Sequence, residues 1–283
     1  MKKNLTLPRN RALLVGINDY KTINDLQGCI NDVTNMRNIL KTYFGFTNDD
    51  IRILVDERAT KKNILYRLEK MVAEANPDDT LVFHFSGHGS QIRDRDNDEL
   101  NDHMDELICP YNLSWEDGFI TDDMLRAVLN KLKKGVKMEI ILDCCHSGSG
   151  TRDMILDPPG CSGTKVLFKN RFLRPPVDIE CRYQGEEYKM KPARAFKTDK
   201  EIILNHVLWA GCRDNQTSAD AYIEGRYNGA FSYYFCKHIR DTKGKLSRDE
   251  LHSRISDSLN HNNYNQLPQL ECRDNLESGN VFN

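Results

Sequence analysis

"MEIILDCCHSG", residues 138–148, decides how the rest of the chain is read. An almost unbroken apolar run stops at Asp143, and two thiols, an imidazole, Ser147 and Gly148 follow at once. Such a run fits a strand covered on both faces, as in a parallel sheet. Four more stretches have this form: "RALLVGI" (11–17), "IRILVD" (51–56), "TLVFHFSGHG" (80–89) and "HVLWAGC" (206–212). Between them, apolar residues recur at helical spacing. Cys29, Val33, Met36, Leu40 and Tyr43 form one stripe, and Ile64, Leu65, Leu68, Met71, Val72 and Ala75 form another after the N-cap candidate Thr60. Met124, Leu125, Val128, Leu129 and Leu132 give a third. Ser247 and Glu250 make a capping-box pattern ahead of Leu251, Ile255 and Leu259. Strands alternating with helices predict an α/β chain, a three-layer α/β/α sandwich with a mainly parallel central sheet.

Composition removes several functions. The 283 residues are 39% hydrophobic and 29% charged, which is globular composition, and the net charge of −2 gives no nucleic-acid footprint. The stretch MKKNLTLPRN has two lysines but no apolar core, so it does not read as a secretory signal. No run approaches the roughly 18 apolar residues of a membrane-spanning helix. Nine cysteines without a C-x-x-C pair fit a reduced compartment, and a cytoplasmic location is expected.

Residues 149–200 break the rhythm, with five of the nine prolines and many basic residues. A long segment without periodicity reads as a functional loop, a lid or a disordered insert. The expected organisation is one domain over 1–283, with a larger front part (1–148), an insertion (149–200) and a smaller back part (201–283). Lys165, Lys169, Arg171 and Arg174 in the insertion read as exposed.

Ligands of a parallel α/β sheet bind beyond the carboxyl ends of its strands. Two such ends carry chemistry here, "FSGHGSQ" with His88 and "LDCCHSG" with Cys144, Cys145 and His146. A Cys–His dyad answers the pattern, the imidazole taking the thiol proton and returning it to a leaving amine. A cysteine ending an apolar strand is most often a small buried residue, and that reading suits Cys144 and every other cysteine taken singly. The spacings of a zinc site are missing, and a bond between adjacent cysteines would be strained. His88 alone would be structural, but glycines on both sides let a substrate backbone come close.

With "RALLVGINDY" and "LQGCINDV" ahead of "SGHGSQ" and "DCCHSG", the chain resembles the metacaspase and orthocaspase branch of the caspase-like cysteine peptidases. "ITDDML" (120–125), "WAGCRDNQTSADA" (209–221) and "GAFSYYF" (229–235) continue the likeness, which covers roughly 11–150 and 205–240. The resemblance implies a caspase–haemoglobinase fold and peptide-bond hydrolysis. It assigns the nucleophile to Cys145 and the catalytic histidine to His88, and leaves Cys144 to packing and His146 to the turn. The backbone N–H groups of Gly89 and Cys145 flank the reacting centre as oxyanion donors.

The resemblance also places Asp32 and Ser86 in the pocket for the residue ahead of the scissile bond (P1). Asp143, two residues before Cys145, joins them by strand alternation. Buried carboxylates are costly until a cation enters, so Arg or Lys at P1 is expected. Helix capping by Asp32 and loop hydrogen bonding by Asp143 are the plain alternatives. Protein or peptide substrates with basic P1 residues are the expected partners, with no nucleic acid, no membrane, no organic cofactor, and a monomer favoured over an oligomer. A trypsin-like enzyme with a basic loop beside its site is expected to cut that loop. Calcium is implied through Asp105, Asp122 and Asp123, with Asp153 falling one residue late for a fourth ligand; the competing role of Asp122 and Asp123 is to cap the helix after Thr121. The acidic stretch 94–106 lacks the glycine an EF-hand needs. The functional alternatives are a non-catalytic caspase-like scaffold and a peptidase with another P1 preference.

Overall fold

The structure is a computed structural model that describes residues 7–93, 104–145, 155–156, 166–167, 169–182, 206–213 and 216–282. The chain runs β1 (Asn10–Gly16), α1 (Cys29–Tyr43), β2 (Ile51–Val55), α2 (Lys61–Ala73), β3 (Thr80–Ser86), β4 (Gly89–Arg93), β5 (Met104–Ile108), β6 (Ile120–Thr121), α3 (Asp122–Leu129) and β7 (Lys137–Asp143). Short strands β8 (Ile155–Leu156), β9 (Val166–Leu167) and β10 (Lys169–Asn170) come next, then α4 (Val177–Arg182). The back part holds β11 (Val207–Ala210), β12 (Ala219–Ile223), β13 (Arg226–Gly229), α5 (Ala230–Thr242), α6 (Arg248–His261), β14 (Gln269–Glu271) and α7 (Asp274–Glu277).

Six strands form the central sheet in the order β14-β11-β7-β3-β1-β2. All neighbours are parallel except β14, which runs antiparallel to β11 at one edge. The continuous hydrophobicity of these strands has the expected cause, because alternate side chains feed two separate cores. Leu13, Val15, Phe83, Phe85, Ile140 and Leu142 pack with α2 and α3 on one face. Leu14, Val82, Ile141 and Trp209 pack with α1, α5 and α6 on the other. Each fully buried side chain of this kind contributes roughly 1.5–3 kcal/mol. The three layers therefore follow from strand alternation.

The caps act as the sequence implies. Thr60 Oγ1 accepts the Asn63 N–H at 3.3 Å, and Glu250 closes the capping box on the Ser247 N–H at 3.1 Å. The antiparallel unit β4-β5-β6 and the hairpin β12-β13 were not read from sequence, nor was α5. Helix α5 buries Phe231, Ser232, Tyr233, Tyr234, Phe235 and Cys236 in succession, so its first two turns show no helical period.

Register sets the site. Ser86 on β3 is the lateral partner of Asp143 on β7, and Gly16 on β1 is the partner of Ser86. The chain ends of these central strands therefore open at one level, where Gly87–Gly89 and Cys144–Cys145 leave the sheet.

Candidate active site

His88 leaves β3 on a loop fixed by Tyr20. The Tyr20 hydroxyl accepts the His88 N–H at 2.8 Å and donates to the Cys109 carbonyl at 3.3 Å, and the two rings lie 5.0 Å apart. A side chain on Gly87 would collide with that hydroxyl and with the Phe85 ring, which explains the glycine. His88 Nε2 meets the Asn24 carbonyl at 2.8 Å, so Nε2 carries the hydrogen. Nδ1 is buried without a hydrogen-bond partner, and the ring lies against the Arg171 main chain. Burial pushes the imidazole below its usual range, despite the opposing pull of the Asn24 carbonyl. A neutral ring with a bare Nδ1 can accept a proton. Neither Tyr20 nor Asn24 was singled out in the sequence, since one acts through a distant hydroxyl and the other through its backbone.

The two cysteines separate cleanly. Cys144 points into the apolar cluster under α2 and α3, and burial raises its thiol pKa well above the ordinary value. Cys145 faces the loop before β12: its Sγ receives the Ser218 N–H at 2.5 Å and lies 3.5 Å from the Ser218 carbonyl. Cys29, Cys109, Cys144, Cys145, Cys212, Cys236 and Cys272 are free thiols. A Cβ on Gly89 would overlap the Cys145 main chain, so only glycine allows the two loops to touch.

The pocket beside Cys145 is built by four acidic or hydroxyl side chains. Ser86 Oγ donates to Asp32 Oδ2 at 2.7 Å, and Asp32 also accepts the Gly229 N–H at 3.0 Å. Asp143 accepts from Ser218 Oγ at 2.5 Å and from the Ser232 N–H at 2.9 Å. Asp220 on β12, not anticipated, accepts the Gln27 and Gly28 N–H groups at 2.7 and 2.9 Å, tying β12 to the start of α1. Asp32 lies in the first turn of α1, but its carboxylate serves the pocket and not the helix end. The three carboxylates and Ser86 are fully buried.

A cation fills this pocket, and the chain supplies it. Arg171, read from sequence as exposed, is wholly buried. Its guanidinium reaches Asp32 at 2.8 Å, Asp220 at 3.1 Å, Asp143 at 3.3 Å, Ser86 Oγ at 2.9 Å and the Asp143 carbonyl at 3.0 Å. Burial pushes the Asp32 carboxyl up to about 7 even with the guanidinium beside it. Loss of solvent is the main cause; the Arg171 guanidinium opposes it, and the neighbouring Asp143 charge adds to it.

The backbone around Arg171 is held like an added strand. β10 pairs antiparallel with β12 through Lys169↔Asp220 and Asn170↔Ala219. The Arg171 N–H donates to the Ser218 carbonyl at 3.1 Å, and the Leu173 N–H donates to the Gly89 carbonyl at 2.8 Å. The Gly89 N–H donates to the Arg171 carbonyl at 2.9 Å. The expected oxyanion donor thus already holds a carbonyl oxygen beside Cys145 and His88. Lys169 is half-buried with its Nζ on the Asp25 carbonyl at 3.0 Å, while Arg174 is exposed.

The residues matched to calcium lie elsewhere. Asp122 and Asp123 open α3, where Thr121 Oγ1 caps the Met124 N–H at 3.1 Å. Both carboxylates pair with Arg126, at 2.7 and 2.8 Å. Asp122 Oδ1 is buried without a hydrogen-bond partner, and burial raises that carboxyl. Asp105 is buried on β5. Asp153, His146, Lys165 and residues 94–103 lie outside the described residues. Among the described residues, no three His, Cys, Asp or Glu side chains gather as a metal site. No helix among them is long and apolar enough to cross a membrane.

Comparison with known proteins identifies the family. Residues 10–153 match the family model "Metacaspase, peptidase C14 domain". Metacaspase-1A of Aspergillus terreus is 33% identical, across 95% of this chain and 72% of the relative. Metacaspase-1A of Aspergillus niger is 34% identical, across 93% and 70%. Among solved structures, a Geobacter sulfurreducens protein superposes with TM-score 0.67 at 24% identity, across 97% of this chain and 98% of that one. Caspase-1 of Spodoptera frugiperda does so with TM-score 0.57 at 12% identity, across 94% and 86%. The chain belongs to the metacaspase family of caspase-like cysteine endopeptidases, and its sheet and layers are those of the caspase fold.

Proposed function

We propose that this endopeptidase uses Cys145 and His88 as its dyad, cleaves after Arg or Lys, and cuts its own chain at Arg171–Phe172. The observation that carries this reading is Arg171, whose guanidinium sits among Asp32, Asp143 and Asp220 while its carbonyl accepts the Gly89 N–H. An acidic P1 side chain would meet three carboxylates there, so a preference for Asp has no support. Cys145 gives its proton to His88 Nδ1 and attacks the P1 carbonyl carbon. The oxygen gains charge against the Gly89 N–H, and the imidazolium then protonates the leaving nitrogen. Hydrolysis of the thioester returns the thiol.

The test is a set of fluorogenic peptides differing only at P1, with mass analysis of the incubated protein. Arg and Lys peptides should turn over and Asp peptides should not, and a fragment should begin at Phe172. Cys145→Ala should abolish both, whereas Cys144→Ala should keep most activity. Labelling of Cys144 by an arginyl chloromethylketone, in place of Cys145, would overturn the assignment.

Calcium belongs to the same proposal, through Asp105, Asp122 and Asp123 with Asp153. The bare buried oxygen of Asp122 supports it, because a hard cation would satisfy that oxygen. Millimolar calcium should then raise activity and Tm together, and Asp122→Ala with Asp123→Ala should erase both responses. Equal activity in calcium and in chelator would leave these acids as caps and Arg126 partners.

A further inference from the structure

We infer that Asn170 is a brake on cleavage of the Arg171–Phe172 bond, a positioning residue that makes the linker a persistent occupant of its own active site and a poor substrate. The inference rests on the reading of Arg171 as a P1 residue. Asn170 is then P2 and Phe172 is P1′. The Asn170 carboxamide turns back over the bond to be cut. Its Oδ1 accepts the Phe172 N–H at 2.9 Å and lies 3.6 Å from Cys145 Sγ, sharing the thiol hydrogen with the Ser218 carbonyl at 3.5 Å.

Both contacts favour the state before reaction. An S–H donor loses its bond to Oδ1 when the proton moves to His88, and the thiolate is then left facing the negative end of a carbonyl dipole. The second contact opposes the leaving group. The Phe172 nitrogen must become pyramidal and accept a proton, whereas donation to Oδ1 holds it as a planar amide. Interactions stronger in the ground state than in the transition state lower the rate of the chemical step. The remaining contacts do not act this way. The Arg171 ion pairs, the β10–β12 pairing and the Gly89 N–H all hold the carbonyl in place, and the last grows stronger as charge develops on oxygen. The linker is thus seated as a substrate by Arg171 and slowed by its neighbour.

Self-cleavage should be followed as a first-order process in wild type, Asn170→Ala and Asn170→Asp across a pH range. Loss of two modest hydrogen bonds corresponds to about a three- to tenfold faster cut in Asn170→Ala. Asn170→Asp should cut more slowly than wild type, since a carboxylate accepts more strongly and repels the thiolate. A second measurement uses added peptides Lys-Asn-Arg-Phe and Lys-Ala-Arg-Phe on self-cut enzyme. The alanine peptide should have the higher kcat without a lower KM. An Asn170→Ala protein that cuts at the wild-type rate or slower, or peptides of equal kcat, would overturn the brake. Peptide turnover without any cut at Phe172 would refute self-cleavage and leave the peptide pair to decide the brake. No turnover of either peptide would overturn the peptidase reading and the brake with it.

Discussion

Strand β7 carries two buried acids, Glu139 near its start and Asp143 at its end, and the chain closes around them differently. Glu139 meets Arg248 at 2.8 Å, the Trp209 Nε1–H at 2.8 Å and the Phe282 N–H at 2.6 Å. One acid faces one cation, and both come from ordered elements that stay in place. Asp143 belongs to a group of three acids with a single guanidinium, brought by a short strand in the insertion. The Arg171 Nε is left without a hydrogen-bond partner. A balanced pair locks the back part onto the sheet. An unbalanced cluster stays costly whenever its cation leaves, and under the proposed function that cost attracts another basic side chain.

Exchanging the roles of these acids by mutation is the hardest test of the contrast. Glu139→Ala leaves Arg248 buried and uncompensated, so stability should fall by about 3–5 kcal/mol in urea unfolding. Activity per folded molecule toward an arginyl peptide should stay within about twofold. Asp143→Ala leaves Arg171 two other carboxylates, so the stability loss should be the smaller one. Turnover of arginyl peptides, by contrast, should drop about a hundredfold in kcat/KM, roughly 3 kcal/mol. If the Glu139 variant lost specific activity as severely as the Asp143 variant, the division between lock and pocket would collapse.

The same contrast explains what was legible in the sequence. Asp143 stands out because it ends an apolar strand two residues before Cys145, Asp32 is visible only through the resemblance to metacaspases, and the three layers follow from the apolar runs themselves. Asp220 gave no such signal. Its strand is short, and its burial comes from partners at Gln27, Gly28 and Arg171 that are remote along the chain. Arg171 misled for a related reason: a basic residue in a proline-rich segment looks solvated until three acids from three elements converge on it. Tertiary charge complementarity has no period, so neither half of the pocket announces the other.

Asp220 therefore sharpens the comparison at intermediate scale. Asparagine keeps one acceptor oxygen for the Gln27 or Gly28 N–H but removes one of the three charges. Asp220→Asn should cost about 1 kcal/mol of stability. It should lower kcat/KM for arginyl peptides roughly tenfold. A loss equal to that of Asp143→Ala would mean that β12 positions substrate by more than charge.

The smallest expected effect lies in pH. Burial raises the Asp32 carboxyl to about 7 with a guanidinium present. The raised value means that the neutral acid is favoured in the fold. Folding therefore gains from Asp32 at low pH, and loses that gain as pH climbs from the unfolded carboxylate range through about 7. Binding of a basic side chain has the opposite sign, because the guanidinium prefers the ionised acid. KM for an arginyl peptide on self-cut enzyme should fall a few-fold as pH rises above about 7, because the emptied pocket has lost the guanidinium that holds the Asp32 carboxyl down. The Asp32→Asn variant should show a higher KM without that pH dependence, while both proteins keep the acid limb of kcat that His88 sets. Glu139 serves as the control, since a pair balanced by Arg248 and remote from substrate should leave KM unmoved. A KM of wild type that stays level between pH 5.5 and 8.5, about a unit and a half either side of that value, would mean that the charge of Asp32 does not govern binding of the basic side chain.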